Sequence, residues 1–130
     1  MSEPVSQSKV PAARIDTVFV PVRDVTRSAA WYASLFDLEL IYRSEDGSYV
    51  GFRFARSGPG TAALTLYQSS ETEPHSHPAF NFYTPDIEAS HRIMKEQQVT
   101  VSEIHNETGV RFFHYWDPDG QRGEVVWFPE

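Results

Sequence analysis

The stretch that decides the fold lies near the start of the chain, where residues 15–24 read IDTVFVPVRD and residues 31–36 read WYASLF. Valines occupy alternate positions in the first stretch, which predicts a strand with two different faces. Asp24 is placed to cap a helix, and the apolar residues of the second stretch recur at helical spacing. The chain therefore opens with a strand and an amphipathic helix that ends at Asp37.

Three more strands are predicted in the first half of the chain, over Glu39–Arg43, Ser48–Phe54 and Thr61–Gln68. The segments between them contain Asp46-Gly47 and Gly58-Pro59-Gly60, which are typical of tight turns. This half therefore follows the order strand, helix, strand, strand, strand.

The same order returns after a polar, acidic linker at residues 69–76. A strand is predicted over His77–Tyr83, followed by a helix with Thr84 as its cap and Pro85 as its first residue. Three strands close the chain, and they are predicted at Val99–His105, Val110–Trp116 and Arg122–Phe128. The turn before the last of these contains Asp117-Pro118-Asp119-Gly120, a sequence with strong turn propensity.

The two halves form an internal repeat in element order. Thr17 and His77 lie early in the first strand of their halves, and Leu64 and Glu124 lie in the last strands. Both pairs are separated by 60 positions. The spacing predicts that the members of each pair are structurally equivalent.

Length and composition fit one small globular domain. The chain has 130 residues, of which 40% are hydrophobic and 22% are charged. We predict a flexible arm at residues 1–13 and a single domain at 14–130, with one module at 14–68 and a second at 77–130. A domain of this size buries a sizeable core without covalent cross-links.

Composition also excludes several classes of function. The chain has no cysteine, which excludes disulfides, iron–sulfur clusters and thiol nucleophiles. A net charge of −7 argues against nucleic acid as a partner, and no apolar run approaches the roughly 20 residues of a membrane span. Because residues 1–13 lack the features of a signal peptide, we expect a cytoplasmic protein. What remains is a small, aromatic-rich domain, for which we expect a cavity that binds a small molecule.

Six stretches together are typical of one known family, and they are residues 15–24, 31–32, 35–40, 77–82, 86–88 and 117–126. They resemble the vicinal oxygen chelate superfamily, which includes glyoxalase I, extradiol dioxygenases, and fosfomycin- and bleomycin-resistance proteins. The resemblance covers about residues 14–128. It implies an α+β fold in which two βαβββ modules form a curled, eight-stranded mixed sheet around a small-molecule site. It also implies a homodimer.

The resemblance further implies a divalent metal ion in the enzymatic members, with ligands at positions that here hold Thr17, Leu64, His77 and Glu124. Imidazole and carboxylate groups bind Fe, Mn, Ni, Co or Zn, so His77 and Glu124 are the predicted metal ligands and Glu124 is also the predicted catalytic residue. The hydroxyl of Thr17 is a poor ligand, and no carboxylate lies near Leu64, which argues against glyoxalase I chemistry. The predicted ligand set is therefore incomplete.

Strand residues that could face the cavity are the predicted substrate-binding residues, and they are Thr17, Phe19, Arg53, Asn81, Tyr83 and His114. Aromatic walls with a few polar groups are what a small-ligand pocket requires. Simpler interpretations stay open beside these: His77 as a solvated histidine, Glu124 in an ion pair with an arginine, and His114 as a packing residue. His75 is a further candidate ligand, since it forms a His-x-His pair with His77.

Three functions remain open from the sequence. The first is a metal-assisted enzyme that acts on a small oxygenated metabolite by lyase, isomerase, dioxygenase or transferase chemistry. The second is a metal-free binding protein that sequesters a ligand, as bleomycin-resistance proteins do. The third is a metal-free enzyme that uses Glu124 as a general base.

Overall fold

A computed structural model describes residues 9–56, 60–71 and 77–130. Its elements are β1 (Thr17–Val22), α1 (Val25–Leu35), β2 (Leu38–Arg43), β3 (Tyr49–Phe54), β4 (Ala63–Gln68), β5 (Phe82–Tyr83), α2 (Ile87–Glu96), β6 (His105–Glu107), β7 (Val110–Trp116) and β8 (Arg122–Trp127). The order strand, helix, three strands occurs twice. This confirms the predicted α+β fold of two βαβββ modules.

The eight strands form two mixed sheets of four strands each. The first sheet has the order β1-β4-β3-β2 and the second has the order β5-β8-β7-β6. In each sheet the first strand of the module pairs in parallel with the last, while the other neighbours pair antiparallel. The two sheets are not closed on one another, so each keeps an open face.

Both helices begin at an aspartate cap. The carboxylate of Asp24 accepts a hydrogen bond from the backbone N–H of Arg27, and that of Asp86 accepts one from Ala89. These bonds satisfy N–H groups that have no partner within the first turn of a helix. The prediction of Thr84 as the second cap is wrong, since its hydroxyl accepts instead from the N–H of Asp86, at 3.1 Å.

Two strands in the second module are shorter than predicted. The strand expected over 77–83 is reduced to β5, because Pro78 has no N–H to donate to a ladder and its carbonyl accepts from Nδ1 of His77. The strand expected over 99–105 becomes β6, with only an isolated bridge at Val101 before it.

One hydrophobic core is shared by both modules. Phe36, which follows α1, stacks on Phe82 of β5 with ring centroids 4.1 Å apart. Polar contacts join the same modules, since the amide of Gln121 donates to the carbonyl of Pro21 at 2.7 Å. The modules therefore pack as one unit on the side of the sheets that carries the helices. No helix among the described residues is long and apolar enough to cross a membrane.

Strand alternation decides which side chains reach the open faces. In β8, Val125 is buried and Trp127 packs against the core, while Glu124 points to the other side of the sheet. In β1, Val18, Val20 and Val22 take the core side in the same way. The residues between them form the open faces, where the candidate site lies.

Candidate functional site

The open face of the first sheet carries a groove with a volume of about 500 Å³. Three of the predicted substrate-binding residues lie in it, namely Thr17, Phe19 and Arg53. Tyr49 and Thr65 are also among the residues that line it. We call this cavity the first-sheet groove. Its volume lies in the range that small-molecule sites occupy.

Aromatic rings form one wall of the first-sheet groove. Phe19 packs edge-on against Tyr67, with centroids 6.5 Å apart, and Tyr67 stacks on Tyr49 at 5.8 Å. Phe19 is 57% exposed, which is unusual for a phenylalanine on a sheet that also has a buried face. Exposed flat rings of this kind are suited to packing against a flat ligand.

The floor of the groove is made of two threonines. The hydroxyls of Thr17 and Thr65 lie 2.7 Å apart, and that of Thr17 also donates to the carbonyl of Ala63 at 3.0 Å. Gly51 lies above them, where a Cβ would come 3.3 Å from the Thr65 hydroxyl, so its lack of a side chain keeps the floor open.

The sequence predicted the ligand position of β4 at Leu64 and not at Thr65. Leu64 is only 5% exposed and packs in the core. The register of β1 with β4 pairs Phe19 with Thr65, and both side chains take the open face. Thr65 and Tyr67 alternate along β4 with two buried leucines, and this alternation indicates which side of the strand is open.

The open face of the second sheet carries a polar cluster of Asn81, His114 and Glu124, which we call the second-sheet cluster. Glu124 and His114 are directly opposite in the β7–β8 register, and Oε1 of the carboxylate lies 3.3 Å from Nε2 of the imidazole. Its Oε2 accepts from the side-chain amide of Asn81 at 3.1 Å. The partners of Glu124 are therefore an imidazole and an amide, and not the arginines that the sequence offered.

Rings surround the second-sheet cluster. His105 lies against Phe112, and both rings approach that of His114, at centroid distances of 6.4 and 5.7 Å. Tyr83, another predicted substrate-binding residue, packs against Phe128 on the same sheet. His105 lies in β6 and takes part in this ring group.

His77 lies elsewhere, in a small cavity between the modules. That cavity is also lined by Tyr32, Tyr115, Asp117 and Gln121, and its lining does not include Glu124. The cavity is built around a turn, since the Asp117 carboxylate accepts from the backbone N–H groups of Asp119 and Gln121. Burial raises the pKa of Asp117 and, more strongly, that of Tyr115. The second candidate histidine, His75, lies outside the described residues.

The predicted 60-residue offset between the halves is wrong. The helix caps Asp24 and Asp86 are 62 positions apart, so the equivalent of Thr17 is Ala79 and not His77. Strand pairing makes Thr65 the equivalent of Glu124. The residue after Thr65 pairs with a position of β1, the residue after Glu124 pairs with a position of β5, and these two paired positions are themselves 62 residues apart. The halves differ in loop length, and a single offset does not describe them.

The donor set at these positions does not fit a metal centre of three ligands. Thr17, Thr65 and Ala79 supply two neutral hydroxyls and a methyl group, and the hydroxyls already bond to each other. Both oxygens of Glu124 have protein partners. Within residues 9–56, 60–71 and 77–130, no group of three His, Cys, Asp or Glu side chains could hold a metal ion. A catalytic metal site of the usual kind needs about three such ligands.

Paired βαβββ modules with open, ring-lined sheet faces are typical of the superfamily that the sequence motifs resemble. The profile of the Glyoxalase/Bleomycin resistance protein/Dioxygenase superfamily matches residues 14–125. The chain belongs to this superfamily.

Solved structures with the same fold have different activities. TnmS3, an antibiotic-binding protein from Streptomyces sp. CB03234, is 18% identical with a TM-score of 0.78, and the match covers 93% of this chain and 100% of that one. Lactoylglutathione lyase from Agrobacterium tumefaciens is 20% identical with a TM-score of 0.71, covering 90% and 95%. The fosfomycin-resistance protein FosX from Listeria monocytogenes, solved with Mn(II) and sulfate, is 15% identical with a TM-score of 0.72, covering 91% and 92%. No curated protein matches the sequence. At these identities the likeness shows the fold alone.

Proposed function

We propose that this chain binds a small oxygenated molecule that contains a flat ring, using side chains of its open sheet faces. The observation that carries the proposal is the first-sheet groove, where exposed rings and hydroxyls line about 500 Å³. Phe19 and Tyr49 supply apolar contact area, while Arg53 supplies hydrogen-bond donors for ligand oxygens. Binding of an antibiotic by TnmS3, which shares the fold, is consistent with this use of the scaffold.

The ligand is held by protein groups without help from a resident metal ion in this proposal. The mismatched donor set described above supports this part, and FosX shows that other members of the superfamily do bind Mn(II). Metal-assisted chemistry at His77 and Glu124 is therefore the less favoured alternative for this chain. In this proposal Glu124 contacts the ligand as one of the polar side chains of the second-sheet cluster.

We further propose that the chain forms a homodimer that covers the open faces. Large apolar side chains are exposed on both sheets, including Phe19, Tyr42 and Tyr49 on the first and Tyr83 and Phe128 on the second. Exposed apolar surface of this kind is typical of an interface. A two-fold axis that sets the first sheet of one subunit against the second sheet of its partner would bring a groove and a polar cluster together. We expect a mass of about twice 14.8 kDa by light scattering, and a monomer at micromolar concentration would contradict the dimer.

The ligand proposal is tested with a thermal-shift screen of hydroxylated flat-ring compounds against the purified chain. We expect binding compounds to raise Tm, and Phe19→Ala to weaken their affinity about tenfold through lost ring contact. Arg53→Ala should weaken binding of the most oxygenated compounds. Matched controls are Ile93→Ala and Arg92→Ala, exposed residues of α2 that should leave affinity unchanged.

A parallel arm of the same screen adds Mn²⁺, Zn²⁺ or Ni²⁺ to the purified chain. We expect no rise in Tm, because a bound ion stabilises only when the folded chain offers it a site. A rise in Tm that His77→Ala and Glu124→Gln both abolish would overturn the metal-free proposal in favour of the metal-assisted one. Ring compounds that bind equally well to the Phe19→Ala variant would overturn the groove.

A further inference from the structure

A second cavity lies where the two modules meet, beside the shared core, and we call it the junction cavity. Its volume is about 140 Å³. Phe52, Phe54 and Leu64 line it from the first module, and Phe80 and Phe82 line it from the second. An apolar cavity of roughly 150 Å³ is large enough to bind benzene. The junction cavity therefore has room for one six-membered ring or a branched alkyl group of similar size.

Two polar residues line the junction cavity, Arg53 and Asn81, and neither is buried. The cavity therefore meets solvent on the side where these two residues lie. The amide of Asn81 already donates to Glu124, at 3.1 Å. The guanidinium is the remaining polar group that a ligand could meet at this opening.

Arg53 is placed to receive an anion. Its Nε donates to the carbonyl of Thr61 at 3.3 Å, and a guanidinium has four further N–H donors. In the described part of the chain it makes no ion pair, although Glu39 stands opposite it in the β2–β3 register. Its positive charge therefore lies at the edge of an apolar cavity without a carboxylate bonded to it.

We propose that the junction cavity binds a small carboxylate, whose ring or branched alkyl group fills the apolar space while its two oxygens pair with Arg53. Apolar walls with one charged group to orient the ligand are typical of a small-molecule site, and a guanidinium binds a carboxylate through two parallel hydrogen bonds. This site goes beyond the proposed function, because only Arg53 and Ala63 line both the junction cavity and the first-sheet groove.

Size and charge disfavour other ligands. A fused ring system is larger than the 140 Å³ that the cavity offers. A cationic ligand would bring its charge beside the guanidinium of Arg53, and like charges at close range repel. A neutral ring fills the apolar space and leaves the charge of Arg53 unused, so it should bind more weakly than a carboxylate of the same shape.

The first test compares benzoate with nitrobenzene, which has nearly the same shape and no net charge. We expect titration calorimetry to show that benzoate binds the wild-type chain about tenfold more tightly, because only benzoate forms a charge-assisted pair. Arg53→Met keeps an apolar stem and removes the charge, so it should abolish this difference. Arg92→Met, at an exposed position of α2, is the matched control and should preserve it. Equal affinity of the two probes for the wild-type chain would overturn the inference, as would a difference that survives in Arg53→Met.

The second test locates benzoate by methyl NMR. We expect the methyl signals of Val18 and Leu64, which line the junction cavity, to shift, while that of Ile41 in the first-sheet groove stays in place. Ala62→Leu adds bulk at an exposed residue of the cavity wall and should weaken both probes about tenfold. Ala33→Leu, on the exposed side of α1, should leave both affinities unchanged.

The ligand-free methyl spectrum of Ala62→Leu shows whether the variant keeps the fold. Benzoate affinity that is unchanged in a folded Ala62→Leu chain would overturn the inference. Methyl shifts at Ile41 without shifts at Val18 and Leu64 would do the same, since they would place benzoate in the groove.

The failure of this inference and that of the proposed function are distinguishable through Phe19, which lines the groove and not the junction cavity. If Phe19→Ala weakens the hydroxylated ring compounds while benzoate leaves Val18 and Leu64 unshifted, the junction site fails and the groove stands. If benzoate shifts these two methyl groups and no hydroxylated ring compound raises Tm, the groove fails and the junction site stands.

Discussion

Replacing Gly123 with alanine is expected to lower the free energy of unfolding by about 3 kcal/mol and Tm by roughly 10 °C. A Cβ on Gly123 would lie well inside the van der Waals distance of Cζ, Cε2 and the hydroxyl of Tyr115. Tyr115 is 1% exposed and packs against Trp31, Phe36 and Phe82, so its ring has no room to move away. Thermal and urea unfolding followed by circular dichroism measure the loss.

Gly60→Ala is the matched control for this substitution. A Cβ there meets nothing within 4 Å, so we expect a change of at most about 0.5 kcal/mol. Combining Gly123→Ala with Tyr115→Ala removes the overlapping ring, and the double variant should lose less stability than the sum of the two single losses. A Gly123→Ala chain as stable as the wild type would show that the strand and ring separate readily.

Phe82→Ala is expected to cost about 4 kcal/mol and to lower Tm by roughly 13 °C. Phe82 is 7% exposed and stacks on Phe36 at 4.1 Å, with Phe54 and Phe80 in edge contact. Since Phe36 and Phe54 belong to the first module, the alanine leaves a cavity at the junction of the modules. Unfolding monitored by both near- and far-UV circular dichroism measures the loss.

Phe128→Ala is the matched control, because its ring is 40% exposed and packs mainly on Tyr83. We expect a loss of at most about 1 kcal/mol there. The Phe82 variant should still unfold in one transition if the shared core joins the modules throughout. Two separate transitions in the wild-type chain would contradict that shared core.

Local patterns in the sequence were sufficient to predict most of the elements. Alternation in β1, β3 and β7 and the helical spacing of apolar residues before Phe36 give the observed strands and helix within a few residues. The turn at Asp117 also follows from its residues, and the N–H of Gly120 donates to the Asp117 carbonyl at 2.9 Å. These features depend on interactions among residues that are close in sequence.

The site was harder to predict, because it depends on register. Glu124 and His114 each stand out singly in the sequence, and no local pattern shows that the β7–β8 pairing sets them opposite one another. The family resemblance and a repeat offset of 60 residues both assigned His77 to the site, whereas the helix caps of the two modules are 62 positions apart. A shift of two positions along a strand keeps the same face while moving a residue about 7 Å, which is enough to leave the site.

The sequence by itself determined that the chain makes two βαβββ modules with one apolar and one mixed face on each sheet, since period-two and helical patterns are local properties. Only the tertiary structure decided that Thr65 lies beside Thr17, that Glu124 meets His114 and Asn81, and that His77 faces another cavity. The physical reason is that strand register and the packing of Phe36 on Phe82 are set by contacts between residues far apart in the chain, which no local pattern records.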